Sequence, residues 1–322
     1  MKDFLLTSFI LISITLVIVF IGIFAFDFNK TEQLSAVSQN KLLVGDFKNQ
    51  GQDNNFSIPS FSDYEIENIG AEGFISVYFS DEETKIMAEK NKDKTFIIAS
   101  ITKLISIISF LDNFNGELSD SVSISLEAAE ERGPYTGINS GEEFTVSDLI
   151  HASLIPSSNQ AVRALAEKLG GESVLVDYMN KKTQEIGLSG TTFYNTTGLD
   201  DISGEGEFNV STPEDLVKLA EFIIKKYPEI SSISTINEYK LENTSGKFKK
   251  DLENTNKLLF NDNLASSIVL SKTGQTPRSG ENILIVSQGF RYGDYIISVF
   301  LNSNDRFSDA EFFLNLLYPN VY

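Results

Sequence analysis

The sequence predicts an α+β fold. Strands from both ends of the chain share one mostly antiparallel sheet, and a helical region lies between them and packs against it. Three observations carry this. Near the start, GFISVYFS and TKIMAEK flank Asp81-Glu82-Glu83, the pattern of a β-hairpin. Helical patterns then dominate to about Tyr227. Beyond Lys250 the runs SSIVLSK, ENILIVSQGF and DYIISVFLNS return to strand composition, and links as short as Arg291-Tyr292-Gly293 leave no room for the crossover of a parallel pair.

Residues 4–26 (FLLTSFILISITLVIVFIGIFAF) carry no charge. A signal-peptide core is about 7–15 residues and a membrane-spanning helix needs about 20, so this run reads as an uncleaved single-pass anchor. Lys2 is offset by Asp3, which marks orientation weakly; the expectation is that the bulk of the chain lies on the extracytoplasmic side of the cell membrane. The expected division is a membrane anchor at 1–28, a flexible polar linker at 29–63 rich in Asn, Gln, Ser and Lys, and a folded domain at 64–322.

After the hairpin, residues 96–111 (FIIASITKLISIISFL) read as a helix apolar on nearly every side and therefore central in the core, with Lys103 its only charge. TVSDLIHASLI follows with Thr145 as N-cap, then NQAVRALAEKLG, ended by Gly170-Gly171, and VLVDYMNKKTQEIG, closed by Gly187. STPEDLVKLAEFIIKKY places Thr212 at the N-cap, Pro213 at the first helical position and Glu214-Asp215 in the first turn. SGEGEF at 203–208 is too acidic to cradle a phosphate and reads as a plain loop, and SDAEFFLNLLY reads as a closing helix.

Composition narrows the chemistry. The 322 residues include 26 Lys+Arg against 45 Asp+Glu, a formal net charge of -19 that repels phosphate backbones, so nucleic acid is not an expected partner. Cysteine is absent, which excludes thiol catalysis, disulfides and thiolate metal sites together. The single histidine, His151, excludes a zinc site built on two or three histidines. It sits within a helical pattern and reads as structural, so a hydrolase here needs another general base. Neither a metal nor any other cofactor is expected.

Three motifs stand in order: Ser100-Ile101-Thr102-Lys103, Ser157-Ser158-Asn159, and Lys272-Thr273-Gly274. The first lies on the apolar helix, where Ser100 and Lys103 share one face with Cβ atoms roughly 5–6 Å apart. The second falls on the turn between two helices and the third at the end of a strand. A hydroxyl beside a lysine that burial and the neighbouring Lys272 can neutralise is a nucleophile beside a base. Ser157 can relay a proton to a leaving amine, and Asn159 can hold Lys103 or a substrate amide. Lys272 and Thr273 offer charge and a hydroxyl to a carboxylate, and Gly274 lets a substrate backbone lie along the strand as an added β-partner. Lys103 is thus expected among Ser100, Ser157 and Asn159.

S-x-x-K, S-x-N and K-T-G in this order resemble the signature of penicillin-binding proteins and class A β-lactamases. The chain is similar to the low-molecular-mass penicillin-binding proteins, the serine-type D-alanyl-D-alanine carboxypeptidases, over roughly 70–318. IASITKL, GEEFTVSDLIHASLIPSSNQAVRALAE, YMNKKTQEIGLSGTTFYNTTGLD, STPEDLVKLA, NTNKLL and LSKTGQT carry the likeness. It implies a β-lactamase/transpeptidase-like fold with a five-stranded sheet flanked by helices, plus a helical subdomain. It also implies Ser100 as acylated nucleophile, Lys103 as its base, Ser157 and Asn159 as the second catalytic element, and Lys272 as substrate binder. The backbone N–H groups of Ser100 and Gln275 would form the oxyanion hole, and Arg306 matches an arginine that helps bind the substrate's terminal carboxylate in some members. The implied partners are a peptidoglycan stem peptide ending in D-Ala-D-Ala and β-lactam antibiotics as inhibitors.

Gln160 stands where an aspartate commonly follows the S-x-N motif, and Thr255 stands where related enzymes can carry arginine. The sequence ends at Tyr322, after the closing helix, and the expectation is that the N-terminal anchor replaces the membrane-binding tail of some members. A β-lactamase would need a further base in an E-x-x-L-N context; the nearest pattern, beginning at Glu172, lacks the asparagine and follows Ser157 too soon. A non-catalytic penicillin or peptidoglycan sensor would be expected to lose Ser100, Lys103 or Lys272, and all three are present. A D,D-endopeptidase is the nearest variant on the same fold.

Overall fold

In the computed structural model, residues 58–200 and 206–318 are described, all within one compact unit, Gly45–Tyr322. The expected anchor, most of the linker and the start of the SGEGEF loop lie outside the described residues. Among the described residues no helix is long and apolar enough to cross a membrane.

The chain opens with α1 (Asp63–Glu67) and the hairpin β1 (Gly73–Phe79) and β2 (Thr84–Lys90), followed by β3 (Phe96–Ile97), a 3-10 turn at Ala99–Ile101 and α2 (Thr102–Asn113). Next come β4 (Ser121–Ser123), β5 (Glu143–Thr145), α3 (Val146–Leu154), α4 (Asn159–Lys168), α5 (Glu172–Ile186), β6 (Val210–Ser211), α6 (Pro213–Lys226) and α7 (Pro228–Ser234). A second hairpin, β7 (Glu238–Glu242) and β8 (Phe248–Glu253), leads to β9 (Ile268–Thr276), β10 (Gly280–Gln288), β11 (Tyr295–Ser303) and α8 (Arg306–Leu317).

The main sheet has five strands in the order β2-β1-β11-β10-β9, and every neighbouring pair is antiparallel. The two ends of the chain meet where β1 pairs with β11, from Gly73 opposite Leu301 to Phe79 opposite Tyr295. β1 is buried at all seven positions, as a strand covered on both faces must be. On one face Phe74 and Phe300 pack edge-to-face on Phe313 of α8, and on the other α6 packs against β1 and β11. Packing starts upstream of Tyr64: Ser62 caps α1 through a capping box, and the Phe61 ring lies 4.9 Å from that of Phe313.

The helix expected over 96–111 is shorter than the sequence suggests. Phe96 and Ile97 pair with Ser211 and Val210 as strand, Ile98 N–H donates to the Asn209 carbonyl at 3.1 Å, and the helix proper begins at Thr102. A continuous apolar run reads the same whether it becomes a buried strand or a buried helix. What breaks it is Ala99, whose φ of 47° no helix accepts. From 102 to 111 every residue is buried. The remaining caps fall where expected: Thr145 in a capping box with Asp148, Thr212 on Asp215 N–H, and Gly187 left-handed at the end of α5. The β7–β8 hairpin and α7 were not visible in the pattern, because β7 and β8 each bury one leucine (Leu241, Leu252) among charged residues.

Candidate active site

Each of the three motifs lands on a different element, and those elements converge. Ser100 lies in the 3-10 turn that leads into α2, and Lys103 one turn later is fully buried. Ser157 sits between α3 and α4 with φ at 64°, and Asn159 begins α4. Lys272, Thr273 and Gly274 lie on β9, at the edge of the sheet. Ala99 and Ser157 are both non-glycine residues in left-handed backbone, a strain of order 1–3 kcal/mol each that persists only where surrounding structure fixes it.

Lys103 Nζ lies 2.8 Å from Ser100 Oγ and donates to the Thr197 carbonyl, also at 2.8 Å. Lys272 Nζ donates to Ser157 Oγ at 2.9 Å, which leaves the Ser157 proton free for another acceptor. The expectation that Lys103 is held by Ser157 and Asn159 is therefore corrected: its second partner is a backbone carbonyl. The Asn159 amide donates to the Arg132 carbonyl at 2.6 Å, and its Oδ1 is buried without a partner. Burial pushes the Lys103 pKa well below the ordinary lysine range, and the Lys272 cation lowers it further. Lys272 is itself pushed down to about 7, first by burial and then by Arg306.

Gly274 has a packing role that its sequence context does not show. A Cβ there would stand 2.7 Å from the Ile98 carbonyl oxygen and 3.0 Å from Ser100 N. The glycine thus lets β9 close on the turn that carries Ser100, which puts the main chain of Gly274-Gln275 beside Ser100 N–H. Asn282 on β10 ties the same turn down by donating to the Ile97 carbonyl at 3.0 Å. Thr273 Oγ1 is 2.6 Å from Thr255 Oγ1, and Arg306 donates to the Gly274 carbonyl at 3.2 Å and to Gln275 Oε1 at 3.4 Å. Gln160 binds the 129–138 loop, accepting from Thr136 Oγ1 at 3.0 Å and donating to the Ala129 carbonyl.

Two readings of single residues hold. His151 is buried, with Nδ1 2.8 Å from the Ser147 carbonyl and its ring stacked 4.4 Å from Tyr239. Burial depresses its pKa, as befits a neutral core imidazole. Glu172 pairs with Arg163 and accepts from Thr196 N–H and Oγ1 at 3.2 Å each, outside the E-x-x-L-N context of a β-lactamase base. Thr197 and its neighbours were missed as site residues. Their contribution is a main-chain carbonyl and a tight turn, which no side-chain motif announces.

The fold is of the penicillin-binding, transpeptidase-like kind. It is similar to the crystal structure of a penicillin-binding protein from Listeria monocytogenes in its ampicillin-bound form, with a TM-score of 0.60, 26% identity, and coverage of 81% of this chain and 99% of that one. Residues 65–305 match the D-alanyl-D-alanine carboxypeptidase family, and the chain belongs to that family. It is 36% identical over 180 residues to the D-alanyl-D-alanine carboxypeptidase DacF of Bacillus subtilis, covering 54% of this chain and 44% of that protein. It is also 30% identical over 213 residues to a D-alanyl-D-alanine endopeptidase of Pseudomonas aeruginosa, covering 65% and 66%. The match thus spans 44% to 66% of the length of these curated relatives.

Proposed function

We propose that the chain is a serine D-Ala-D-Ala carboxypeptidase that removes the terminal D-alanine of peptidoglycan stem peptides through an acyl-enzyme on Ser100. The observation that carries this reading is the Ser100–Lys103 pair, a hydroxyl 2.8 Å from a fully buried lysine whose pKa burial and Lys272 push well below the ordinary lysine range. Ser100 Oγ attacks the carbonyl of the penultimate D-alanine and its proton passes to Lys103 Nζ. The C–N bond breaks, and the leaving amine takes a proton from Ser157 Oγ, which is replaced by the one held on Lys103, so that Lys103 is neutral again. Water then attacks the ester and gives a proton to neutral Lys103; the ester bond to Ser100 Oγ breaks, and Lys103 returns the proton to restore the Ser100 hydroxyl. Backbone N–H groups of Ser100 and Gln275 meet the developing oxyanion. The unpartnered Asn159 Oδ1 takes a substrate amide N–H, and Gly274 leaves the edge of β9 open to the substrate backbone. Lys272 and Thr273, with the charge of Arg306 behind them, take the terminal carboxylate.

β-Lactams are the expected inhibitors, in line with the ampicillin-bound relative. A labelled penicillin should mark the wild-type chain covalently and leave Ser100→Ala unmarked; equal labelling of both would remove Ser100 as nucleophile. A D,D-endopeptidase is the second reading, favoured by the similarity to the Pseudomonas enzyme of that name. Incubation with a pentapeptide ending in D-Ala-D-Ala and with a cross-linked dimer separates the two: free D-alanine from the first supports the carboxypeptidase, and cleavage of the dimer alone supports the endopeptidase.

We place the catalytic domain outside the cell membrane, held by the uncharged run at 4–26, which rests on the sequence. Protease added to intact cells should remove the domain; full protection there, with digestion after lysis, would place it inside.

A further inference from the structure

The Thr197 carbonyl that receives Lys103 is held from a distance. Thr196, one residue earlier, is gripped on three sides. Its N–H and its hydroxyl both donate to Glu172 Oε1 at 3.2 Å, and its carbonyl accepts from Ser106 Oγ at 2.7 Å. Ser106 lies one turn beyond Lys103 on α2, so the same helix that carries the lysine also fixes the main chain the lysine donates to. Glu172 is fixed in turn. It is the first residue of α5, where a carboxylate suits the helix N-terminus, and its other oxygen pairs with Arg163 of α4. Arg163 also contacts Glu167 at 3.2 Å and Glu131 at 3.9 Å, which holds the guanidinium in place. Thr197 N–H and Oγ1 donate to Asn195 Oδ1 at 3.2 and 3.3 Å, so the peptide linking Thr196 to Thr197 has little freedom to turn.

We propose that Glu172 is a positioning residue for acylation: held by Arg163, it clamps Thr196 and so aims the Thr197 carbonyl at Lys103 Nζ. A neutral amine has two N–H bonds and one lone pair. With one N–H committed to the Thr197 carbonyl, rotation about the Lys103 Cε–Nζ bond is restricted and the lone pair is directed at the Ser100 proton. Without that anchor the amine rotates freely within the same cavity, and only a fraction of its orientations accept the proton. A carbonyl acceptor also favours the ammonium form, so its loss lowers the Lys103 pKa further. The effect falls on orientation and proton affinity together, without contact between Glu172 and substrate.

This inference rests on Ser100 and Lys103 acting as nucleophile and base, and the test keeps the two levels apart. The measured quantity is the second-order rate of labelling by a fluorescent penicillin, followed from pH 5 to 10 on the full-length chain, with release of the label timed separately. If the wild type is not labelled, the function proposed above fails and this inference is withdrawn with it. Given labelling, Glu172→Ala should slow the maximal rate of the pH profile about tenfold to a hundredfold, as for a small misplacement of a reacting group. Its acid limb should move to lower pH. Glu172→Gln keeps an oxygen for the Thr196 donors and should recover most of both properties. Thr196→Val, which leaves the Arg163–Glu172 pair intact, should move both in the same direction by a smaller factor and serves if Glu172→Ala does not fold. A wild-type maximal rate and acid limb in both Glu172→Ala and Thr196→Val would overturn the proposal. So would a Glu172→Gln variant as slow as Glu172→Ala, since charge rather than the clamp would then matter. A defect confined to release of the label would make Glu172 a deacylation residue instead.

Discussion

Lys103→Met should abolish acylation of Ser100 while leaving the fold in place. The side chain is fully buried on a helix whose every residue from 102 to 111 is buried, and methionine fills a similar volume without a group that titrates. One acceptor, the Thr197 carbonyl, loses its donor, a cost of about 1–3 kcal/mol that removal of a desolvated amine partly offsets. The rate of penicillin labelling should fall about a thousandfold or more, the upper part of the range for removing a positioned base. Labelling at the wild-type rate would assign the base elsewhere. The pH profile makes the same point from the other side. Lys103 works only when neutral, so kcat/KM rises with pH through its depressed pKa. In the proposed role Lys272 would bind a carboxylate only when charged, and its pKa is pushed down to about 7, so kcat/KM for a peptide with a free terminal carboxylate should fall as pH rises beyond that value. The profile should be bell-shaped. Bound substrate stabilises the Lys272 cation, so the falling limb of kcat should lie at higher pH than that of kcat/KM. A kcat/KM flat from pH 7 to 9 would remove Lys272 from carboxylate recognition.

The parts of this site that speak through side chains were legible in the sequence. Ser100 and Lys103 announce themselves by helical spacing in an otherwise apolar run, and Lys272-Thr273-Gly274 by its place at the end of a strand. The sheet was legible for the same reason: β1, β9, β10 and β11 are apolar runs bounded by turn residues. What stayed hidden is carried by the main chain. Ala99 turns the chain out of helix because Ile97, Ile98 and Gly198 hold the segment, a tertiary constraint that outweighs helical propensity. The Thr197 carbonyl has no residue code at all. Asn159 shows a third limit. The motif marks the residue but not its partners: its amide is spent on the Arg132 carbonyl of a loop distant in sequence, and only its buried oxygen is left without a partner.

Gly198→Ala should damage both stability and acylation, and the reason separates contact from conformation. Gly198 has φ at 82°, and a Cβ there would lie 1.9 Å from the Ala99 carbonyl oxygen, 2.3 Å from its carbon and 2.9 Å from Thr102 Oγ1. The left-handed conformation alone costs an alanine roughly 1–2 kcal/mol. Pushing main chain off main chain adds about 1–3 kcal/mol, so the sum is about 3 kcal/mol and the melting temperature should fall by about 10 °C. The displaced groups are the turn before Ser100 and the loop carrying Thr197, the two supports of the Ser100–Lys103 pair, so labelling should slow at least about a hundredfold. Asparagine tolerates left-handed backbone but carries the same Cβ. Gly198→Asn should therefore be almost as damaging as Gly198→Ala. Gly187 provides the contrast: its φ is also 82°, but a Cβ there meets nothing within 4 Å. Gly187→Asn should keep wild-type labelling and lose only a few tenths of a kcal/mol. If Gly198→Asn behaves as mildly as Gly187→Asn, backbone strain rather than the close approach to Ala99 explains why glycine stands at 198.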